Sequence, residues 1–413
     1  MKQLCQMCGD DFEVREYDRL SPLALSKYSL RGSLGDVQGG DCIVAFGRKA
    51  IYDIKRQIEK ETSHRCCVVY GSLPPAARKE QARLFNERHQ GGSPYDVLVA
   101  SDAVGMGLNL EIKRMIFSTV EKFDGKEMRN LTKSEILQIA GRAGRYGTES
   151  SEGLVTALHK HDMGLIKAAM GSVMPSISKV CIRPEVNTME EFASRMIEQW
   201  RYKMVRAGKL DPRGDDIREP PLHMIIAAYM EVHRADPAFF LSESLDDLAD
   251  LAEILQGVTM RLKDRFTFCQ APADPEDKSQ TAALVEMAKM LSEDGSVPVL
   301  PRMLENRFRE VPSTAAGLKQ CEECHYLLEL YSWLANHFEA QFIDAAIVKD
   351  LLDQSNDLIQ KALHQLTKAD VKLVKTLSFK KRLEAKSEKK KERRERKRRL
   401  RSEAIQMLQA NGQ

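Results

Sequence analysis

The sequence predicts an α/β lobe with a parallel sheet, followed by a helical region and a charged tail. Short, continuous apolar runs alternate with helical stretches between residues 40 and 160. Strand signals vanish after about residue 161, where helical patterns dominate. Residues 380–401 hold 14 Lys or Arg and 4 Asp or Glu, a net charge of 14 − 4 = +10.

Five apolar runs are strand candidates, because continuous apolar residues suit strands that are buried on both faces of a parallel sheet. These runs are residues 42–46, 66–70, 97–100, 115–120 and 154–158. Helix candidates between them are residues 49–60, 75–88 and 133–145. Pro74 and Pro75 suit the start of the second helix. The alternation predicts a sheet with helices on both faces.

The second half of the chain predicts helices with apolar stripes. The candidates are residues 189–203, 221–233, 245–255, 281–291, 317–342 and 343–366. Leu327, Tyr331, Leu334 and Phe338 form one stripe at helical spacing, which indicates packing against a shared core. Pro-rich loops at residues 271–275 and 297–301 separate elements of this half.

Composition places the chain among ordinary globular proteins. Its 413 residues allow two or three domains, and 43% hydrophobic with 30% charged residues excludes a mostly disordered or collagen-like chain. No apolar run approaches the roughly 18 residues of a membrane span, and the N-terminus is neither a signal nor a transit peptide. The net charge is +3, so the body outside the tail carries +3 − 10 = −7. The basic tail suggests a polyanionic partner.

Nine cysteines without a secretory signal indicate free thiols in a reducing compartment. Cys5 and Cys8 form a CxxC pair with no second pair at ligand spacing. Cys321, Cys324 and His325 match a haem-attachment string. Positions 321, 324, 328 and 331 share one helical stripe, which favours core packing. We therefore expect no metal or haem site.

The most informative stretch is TKSEILQIAGRAGRYG, residues 132–147. Thr132 and Glu135 have the spacing of a capping box that opens a helix, and Gly147 can end it. The pattern thus predicts a helix over residues 133–145.

One face of this predicted helix carries Gln138, Arg142 and Arg145, which are spaced by four and three residues. Gly141 and Gly144 each disfavour a helix by about 1 kcal/mol relative to alanine. They allow another group to approach the backbone closely while the two guanidinium groups point at it, and paired arginines suit a phosphate chain. An exposed helix with surface ion pairs would explain the arginines and leave the glycines unexplained.

The stretch VLVASDAVGMGLNL, residues 97–110, places a polar loop with glycines after a buried strand. Open α/β sheets bind ligands at the carboxyl ends of their strands. Ser101 could donate to a phosphate oxygen, and Asp102 could order a neighbouring loop. The pair Gly105 and Gly107 is weak evidence alone, so a plain strand–helix connector is the alternative.

Together these two stretches resemble motifs five and six of superfamily-two helicases. The string QxxGRxGR is highly specific, and SDxxGMGLN narrows the group. Residues 41–46 resemble the motif-four strand. The loop YGSLPP at residues 70–75, with GMGLN and QIAGRAGRYG, is similar to the mitochondrial degradosome-type, Suv-three-like RNA helicases. The opening FEVREYDRLSPL and residues 265–272 and 328–351 also resemble this family, so the resemblance covers about residues 10–370.

Two motifs of such helicases are missing from the sequence. It contains no GxxxxGK[ST] string and no Asp-Glu dipeptide, so the cradle for ATP phosphates and the carboxylates for Mg²⁺ are absent. In the family they lie on a first RecA-like lobe, which precedes the lobe present here. The resemblance therefore implies a missing first lobe and indicates that Met1 is a gene-model boundary rather than a natural start.

The resemblance implies an ATP-dependent RNA helicase whose two RecA-like lobes close on ATP and Mg²⁺, with the Mg²⁺ ligands on the missing lobe. The family unwinds RNA 3′-to-5′ and delivers the unwound RNA to a 3′ exoribonuclease. This serves RNA degradation and surveillance in the mitochondrial matrix. The nucleus is an alternative location. We expect this chain to be inactive alone.

The resemblance also assigns roles to residues. The arginine fingers are Arg142 and Arg145, and Gln138 positions them or the attacking water. The nucleotide-sensing loop consists of Asp102, Gly105, Gly107 and Asn109. The RNA contacts are Gly71, Ser72 and Ser101.

The implied organisation has four parts. They are a lead-in segment or interlobe linker (1–30), a second RecA-like lobe (31–160), a helical C-terminal region (161–375) with bundle segments at about 221–270 and 317–368, and a basic tail (376–413) that is disordered or a lone helix. Expected partners are RNA, the missing first lobe and a 3′ exoribonuclease, with no membrane. The alternative function is a catalytically inactive RNA-binding scaffold that uses the lobe and the tail.

Overall fold

The computed structural model divides the chain into two compact units. The first comprises Met1–Asp124 and Met128–Met174, and the second comprises Gly125–Glu127 and Pro175–Gln413. The residues that the structure describes are 2–15, 17, 19–90, 93–105, 107–124, 127–144, 152–173, 179–208, 220–232, 239–242, 244–304, 310–365, 395, 396, 399 and 402. Arg145, Gly147 and nearly all of the basic tail lie outside these residues.

Six strands form the sheet of the first unit. They are β1 (Leu23–Leu25), β2 (Asp41–Val44), β3 (Cys66–Val69), β4 (Val97–Ala100), β5 (Arg114–Phe117) and, after a hairpin of β6 (Glu121–Phe123) and β7 (Met128–Asn130), β8 (Gly153–Ala157). All six are parallel, in the order β1-β8-β5-β2-β4-β3. Every residue of β2, β3 and β4 is buried, which confirms the prediction from continuous apolar runs.

The five predicted strands are present, and β1 is an addition. It has three half-buried residues at the sheet edge, too few for a sequence pattern to reveal. The antiparallel hairpin of β6 and β7 was also missed, because each of its strands has three residues with one exposed face.

Five helices accompany the sheet. They are α1 (Lys2–Cys8), α2 (Arg48–Glu61), α3 (Pro75–Asn86), α4 (Lys133–Ala140) and α5 (Met163–Met170). α3 begins at Pro75, as predicted. The capping box of α4 is also confirmed: the Thr132 hydroxyl accepts from the Glu135 N–H at 3.2 Å, and the Glu135 carboxylate accepts from the Thr132 N–H at 2.7 Å.

α4 is shorter than the predicted helix over residues 133–145. It ends at Ala140, and Gly141 caps it. Beyond the cap, Ala143 forms an isolated bridge with Ile112, and the N–H of Gly144 donates to the Ile112 carbonyl at 2.8 Å. The N–H groups of Arg142 and Ala143 still bond three residues back, and at Gly144 a distant partner replaces a helical one, at a sequence that disfavours a helix. The prediction of one helical face for Gln138 and Arg142 is therefore wrong.

The second unit is mainly helical, which confirms the predicted fold class. Its helices are α6 (Val186–Arg206), α7 (Leu222–Val232), α8 (Ser244–Ile254), α9 (Leu262–Gln270), α10 (Lys278–Glu293), α11 (Pro301–Leu304), α12 (Ala315–Ala335) and α13 (Ala345–Gln365). A short parallel pair, β9 (Val180–Ile182) with β10 (Phe239–Leu241), also occurs here, where the sequence indicated no strands.

The cysteines of α12 belong to the core of this unit. Cys321, Cys324, Leu328 and Tyr331 are each at most 1% exposed, which confirms the packing prediction. The Tyr331 hydroxyl donates to the Val297 carbonyl at 2.7 Å, so the buried ring carries no unsatisfied polar group.

No group of three or more His, Cys, Asp or Glu residues in the described part of the chain could hold a metal ion. No described helix is long and apolar enough to cross a membrane. Of the tail residues that the structure describes, Arg396 forms ion pairs with Asp250 at 2.9 Å and Glu253 at 3.3 Å on α8.

Candidate functional site

Two predicted site loops, which follow β3 and β4, lie beside the loop after β2 at the carboxyl edge of the sheet. β2, β4 and β3 are neighbours, and the residues that follow them continue their pairing. The N–H of Ala45 donates to the Ala100 carbonyl at 2.9 Å, and the N–H of Ser101 donates to the Val69 carbonyl at 2.8 Å. Gly71 and Ser72, just after β3, are therefore brought close to Ser101.

Ser101 opens a tight turn rather than an extended connector. Its hydroxyl accepts from the N–H of Ala103 at 3.1 Å and so caps a 3₁₀ turn over Asp102–Gly105. The hydroxyl proton remains available to a ligand oxygen. The Asp102 side chain is 49% exposed and contacts the Lys122 ammonium at 3.3 Å.

A pocket of about 370 Å³ opens beside this turn. Its lining residues are Phe46, Gly47, Ser101, Asp102, Lys122, Phe123, Asp124 and Arg129. The pocket lies between the loop after β2, the loop after β4 and the β6–β7 hairpin. Both cations of the pocket are engaged in ion pairs, so they order its wall.

The ion pairs form one chain of contacts from the loop to α4. Lys122 contacts Glu135 at 2.7 Å as well as Asp102. Arg129 donates two hydrogen bonds of 2.9 Å to Glu135 and reaches Asp124 at 3.2 Å. We name Asp102, Lys122, Asp124, Arg129 and Glu135 the hairpin network. It fixes the start of α4 against the hairpin and the turn after Ser101.

The hairpin network changes the acidity of its members. Hydrogen bonds from Arg129, and then from Lys122 and Thr132, hold the pKa of Glu135 well below its ordinary range, against the opposing effect of burial. Burial acts to lower the pKa of Lys122, but the hydrogen bonds to Glu135 and Asp102 outweigh it and raise that pKa. Both shifts favour the charged forms of Glu135 and Lys122 at neutral pH.

Arg142 joins the two motif stretches. Its Nε donates to the carbonyl of Gly105 at 3.0 Å, and its Nη1 contacts the carbonyl of Leu108 at 3.5 Å. The Gln138 side chain packs over Gly105, where an added Cβ would lie 3.6 Å from its Cγ. The structure thus brings Gln138, Arg142 and Gly105 together, although no common helix face does so.

A contact within the chain explains why residue 144 of the arginine stretch is a glycine. Gly144 has a φ of +73°, which glycine adopts at little cost. A Cβ on Gly144 would lie 2.5 Å from the backbone nitrogen of Gly153, the first residue of β8. At Gly144, the close approach inferred from the sequence is made by the chain's own backbone.

Arg19 is a positioning residue that the sequence analysis missed. Its guanidinium donates to the carbonyls of Gly141 at 2.9 Å, Gly144 at 3.2 Å and also Ala143. These carbonyls belong to the turn that carries Arg142. The partners are more than 120 residues apart in the chain, so no local pattern could reveal the contact.

Gly107 and Asn109 lie in a second pocket, of about 580 Å³, away from Asp102. Its lining residues are Pro75, Arg78, Lys79, Ala82, Arg83, Asn86, Gly107, Leu108 and Asn109. The Asn86 amide donates to the Asn109 carbonyl at 2.8 Å and so holds the loop against α3. The nucleotide residues predicted as one group are thus divided between two pockets.

The cations of α3 differ in their contacts. Arg83 is paired with Glu80 at 2.7 Å and Glu87 at 2.5 Å. Within the described residues, Arg78 and Lys79 form no ion pair, and the Nε of Arg78 is buried without a hydrogen-bond partner. The basic pair at the start of a helix after YGSLPP was the signal that the sequence analysis overlooked.

The donor set fits phosphate and not a divalent cation. The carboxylates nearest the first pocket, Asp102 and Asp124, already contact Lys122 and Arg129. The second pocket offers Arg78, Lys79 and the open backbone of Gly107, where an added Cβ would meet no atom within 4 Å. Guanidinium, ammonium and backbone N–H groups are the usual ligands of phosphate oxygens.

Three family models match the chain. The helicase conserved C-terminal domain matches residues 27–147. Suv3 C-terminal domain 1 matches residues 250–292, and the ATP-dependent RNA helicase SUV3 C-terminal domain matches residues 318–365. The first match lies on the unit with the sheet, and the other two lie on the helical unit.

Curated relatives match along most of the chain. The mitochondrial ATP-dependent RNA helicase SUV3 of Oryza sativa subsp. japonica is 36% identical over 365 residues, 88% of this chain and 58% of the relative. The mitochondrial DExH16 helicase of Arabidopsis thaliana is 35% identical over 88% of this chain and 59% of its own length. Mitochondrial SUPV3L1 of Gallus gallus is 33% identical over 89% of this chain and 44% of its own length. The chain spans about half the length of the curated relatives it matches.

Proposed function

Because the chain belongs to the Suv3 helicase family, whose C-terminal domains it carries, we propose that it forms the second motor lobe and C-terminal region of an ATP-dependent RNA helicase. The observation that supports this most is the contact of Arg142 with the carbonyls of Gly105 and Leu108. It joins the QxxGRxGR and SDxxGMGLN stretches, so that the two motifs act as one body.

In the proposed mechanism, a preceding lobe binds the ATP phosphates and Mg²⁺, and closure of the two lobes brings the arginine turn after α4 to the nucleotide. Arg142 uses part of its N–H donors on the loop, which leaves others for the transferring phosphoryl group. Arg145 is the second arginine finger. Gln138, exposed beside Gly105, positions the arginines or the attacking water.

Two further groups of residues link the nucleotide cleft to the loops and contact the RNA. Gly105, Gly107, Asn109 and Asp102 connect the nucleotide cleft with the loops, because the Arg142 contacts hold Gly105 and the hairpin network holds Asp102. The RNA backbone lies along Gly71, Ser72 and Ser101, whose N–H and hydroxyl groups can donate to phosphates. Movement of Arg142 on ATP hydrolysis would then shift the loop that meets RNA.

The finer features follow the family resemblance. They are mitochondrial action in the matrix, 3′-to-5′ unwinding, RNA degradation and a 3′ exoribonuclease partner. The relatives named above as mitochondrial RNA helicases support the location and the substrate class.

The test compares this chain alone with the same chain joined to the first lobe of the rice relative. The chain alone should show no RNA-stimulated ATP hydrolysis, because it lacks a phosphate-binding loop and Mg²⁺ ligands. The joined protein should hydrolyse ATP and unwind a duplex with a 3′ overhang, and a 5′ overhang serves as the control. Ordinary helicase turnover by the chain alone, with contaminants excluded, would contradict the half-site assignment.

A further inference from the structure

We propose that a second RNA-binding surface lies at the β1 and β8 end of the same sheet edge. Tyr28 stacks on a base there, and Lys27, Arg31 and Lys160 bind the adjoining phosphates. We name this surface the Tyr28 patch; it also includes His159 and His161. The proposal rests on the proposed function in taking RNA as the polyanion.

The Tyr28 patch is built by chain segments that run beside and beyond β8. The Thr156 hydroxyl donates to the Tyr28 carbonyl at 2.9 Å. The N–H of Leu30 donates to the Ala157 carbonyl at 3.0 Å, and the N–H of Gly32 donates to the Leu158 carbonyl at 2.8 Å. Residues 26–32 are therefore held by backbone contacts, and their side chains are free to project.

Tyr28 has the exposure and the neighbours of a base-stacking residue. Its side chain is an exposed large hydrophobic group, at 59%. The Lys27 ammonium lies 5.4 Å from the ring centroid, and the Arg31 guanidinium carbon lies 5.7 Å from it. Both cations lie over the ring within cation–π range, so positive charge is held close to the aromatic surface that a base would contact.

The charge of the patch is uncompensated. Residues 26–32 and 158–161 contain Lys27, Arg31 and Lys160 but no Asp or Glu. Among the residues that the structure describes, these three cations form no ion pair. Asp162, the next residue, is only 3% exposed, and its carboxylate faces His161 at 3.6 Å. Within residues 26–32 and 158–161 the exposed charge is thus positive, which favours a polyanion.

Arg31 occupies an unfavourable backbone conformation. Its φ is +52°, the one positive φ of a non-glycine residue among the described residues. The next residue is Gly32, at +85°, so a glycine pair would have built the turn with less strain. A large cation at such a position indicates a role for its side chain.

Two histidine rings extend the patch. The rings of His159 and His161 are parallel, with centroids 5.4 Å apart and an interplanar angle of 8°. His159 packs against Gly32, where an added Cβ would lie 3.5 Å from its imidazole. Flat rings beside cations suit single-stranded RNA, because its unstacked bases can stack on the rings. An acidic peptide would be bound by the cations alone and would make no use of the rings.

The position of the patch suits one continuous strand. β1 and β3 are the outer strands of the sheet, so the Tyr28 patch and the Gly71–Ser72 loop mark its two ends. At the usual strand spacing, this edge is about 24 Å long. A single-stranded RNA that crosses Ser101 and follows this edge of the sheet would reach Tyr28.

The test measures binding of a labelled oligo-uridine to the full chain by fluorescence anisotropy at several salt concentrations. Tyr28→Ala should weaken binding about fivefold or more, the effect of losing one stacked base, and Tyr28→Phe should bind like the wild type. Tyr202→Ala is the matched control, because Tyr202 is 65% exposed on α6 of the other unit. Equal melting temperatures establish that the variants fold.

The cations are tested by the salt dependence. Lys27→Ala and Lys160→Ala should each reduce the slope of log affinity against log salt by about 0.7, the value for one phosphate on a single strand. Arg31→Gly should do the same without loss of stability, since glycine suits its φ. Lys60→Ala is the control, because α2 begins after β2 and carries Lys60 to the opposite edge of the sheet.

Each other outcome overturns the Tyr28 patch. If the wild type binds RNA while Tyr28→Ala and Lys27→Ala bind equally well with the same salt slope, the patch is wrong and the helicase proposal stands. If polyglutamate competes as well as oligo-uridine and Tyr28→Phe loses affinity like Tyr28→Ala, the surface recognises an acidic protein. If the wild type binds no RNA at low salt, the Tyr28 patch proposal is wrong. The helicase proposal is not affected by that result, because the joined two-lobe protein tests it separately.

Discussion

Two groups of cations on the first unit differ in what they contact. Lys122 and Arg129 of the hairpin network each contact two carboxylates. Arg78 and Lys79 on α3 form no ion pair within the described residues. A cation with carboxylate partners holds loops in place, whereas a cation without them keeps its affinity for a phosphate. The difference distinguishes cations with a structural role from cations that we propose bind phosphate.

Arg142 belongs to neither group, because its partners are carbonyls, and it should give the largest effect. In the joined two-lobe protein, Arg142→Ala should lower RNA-stimulated ATP turnover by about 10³-fold or more. Arg142→Lys should not restore it, because an ammonium cannot reproduce the fork that spans Gly105 and a phosphate. Steady-state hydrolysis with saturating RNA is the measurement.

The control for Arg142 is Arg56→Ala. Arg56 is exposed on α2 and paired with Asp53 at 2.6 Å, so its loss should leave turnover near that of the wild type. If Arg142→Ala keeps turnover but loses RNA affinity, the residue acts through the loop alone and is not an arginine finger.

The double variant Arg78→Ala with Lys79→Ala should give the next largest effect. Loss of two phosphate contacts should reduce the salt slope for oligo-uridine binding to the full chain by about 1.4. Arg83→Ala, on the same helix, should leave the slope unchanged because Glu80 and Glu87 already neutralise it. Equal slopes for the double variant and the wild type would show that unpaired cations on α3 do not meet RNA.

Glu135→Gln should give the smallest effect, and it acts on stability rather than on binding. The variant should unfold more easily at neutral pH by about 1 kcal/mol, because it loses ion pairs and part of the capping box. Denaturant unfolding of the full chain measures it. RNA affinity at low salt should stay unchanged, which separates the hairpin network from the α3 cations.

The same variant should also respond differently to acid. Since the folded state depresses the pKa of Glu135, its stabilisation is present above the unfolded-state pKa of about 4.3 and is lost as pH falls below it. Wild-type stability should therefore decline more than that of Glu135→Gln between neutral pH and about pH 3. Parallel pH curves for the two proteins would refute the assigned role of the ion pairs.

Local patterns predicted the parts of the site that depend on near neighbours. Thr132 and Glu135 are three residues apart, so their capping box could be read directly and is confirmed. Pro75 starts α3 for a similarly local reason. The roles of Arg145 and of the basic tail stay predictions, because both lie outside the described residues except for isolated tail positions.

The prediction of a shared helical face was wrong because it assumed that the helix continues past Gly141. Within the described residues, the backbone beyond α4 instead bonds to Ile112 and approaches Gly153. A helix rule counts only local hydrogen bonds and propensities, and it cannot include partners that other elements supply.

The sequence by itself determined the parallel sheet, because buried strands between helices produce continuous apolar runs. It also determined the helical second half and the two helicase stretches. Only the tertiary structure decided that Arg142 holds Gly105, 37 residues away, and that Arg19 holds the arginine turn from 122 residues away. Only the tertiary structure separated Asp102 from Asn109 into different pockets and brought Tyr28 beside the residues that follow β8. Contacts between distant segments depend on how complete elements pack, and a short sequence window contains only one of the two partners.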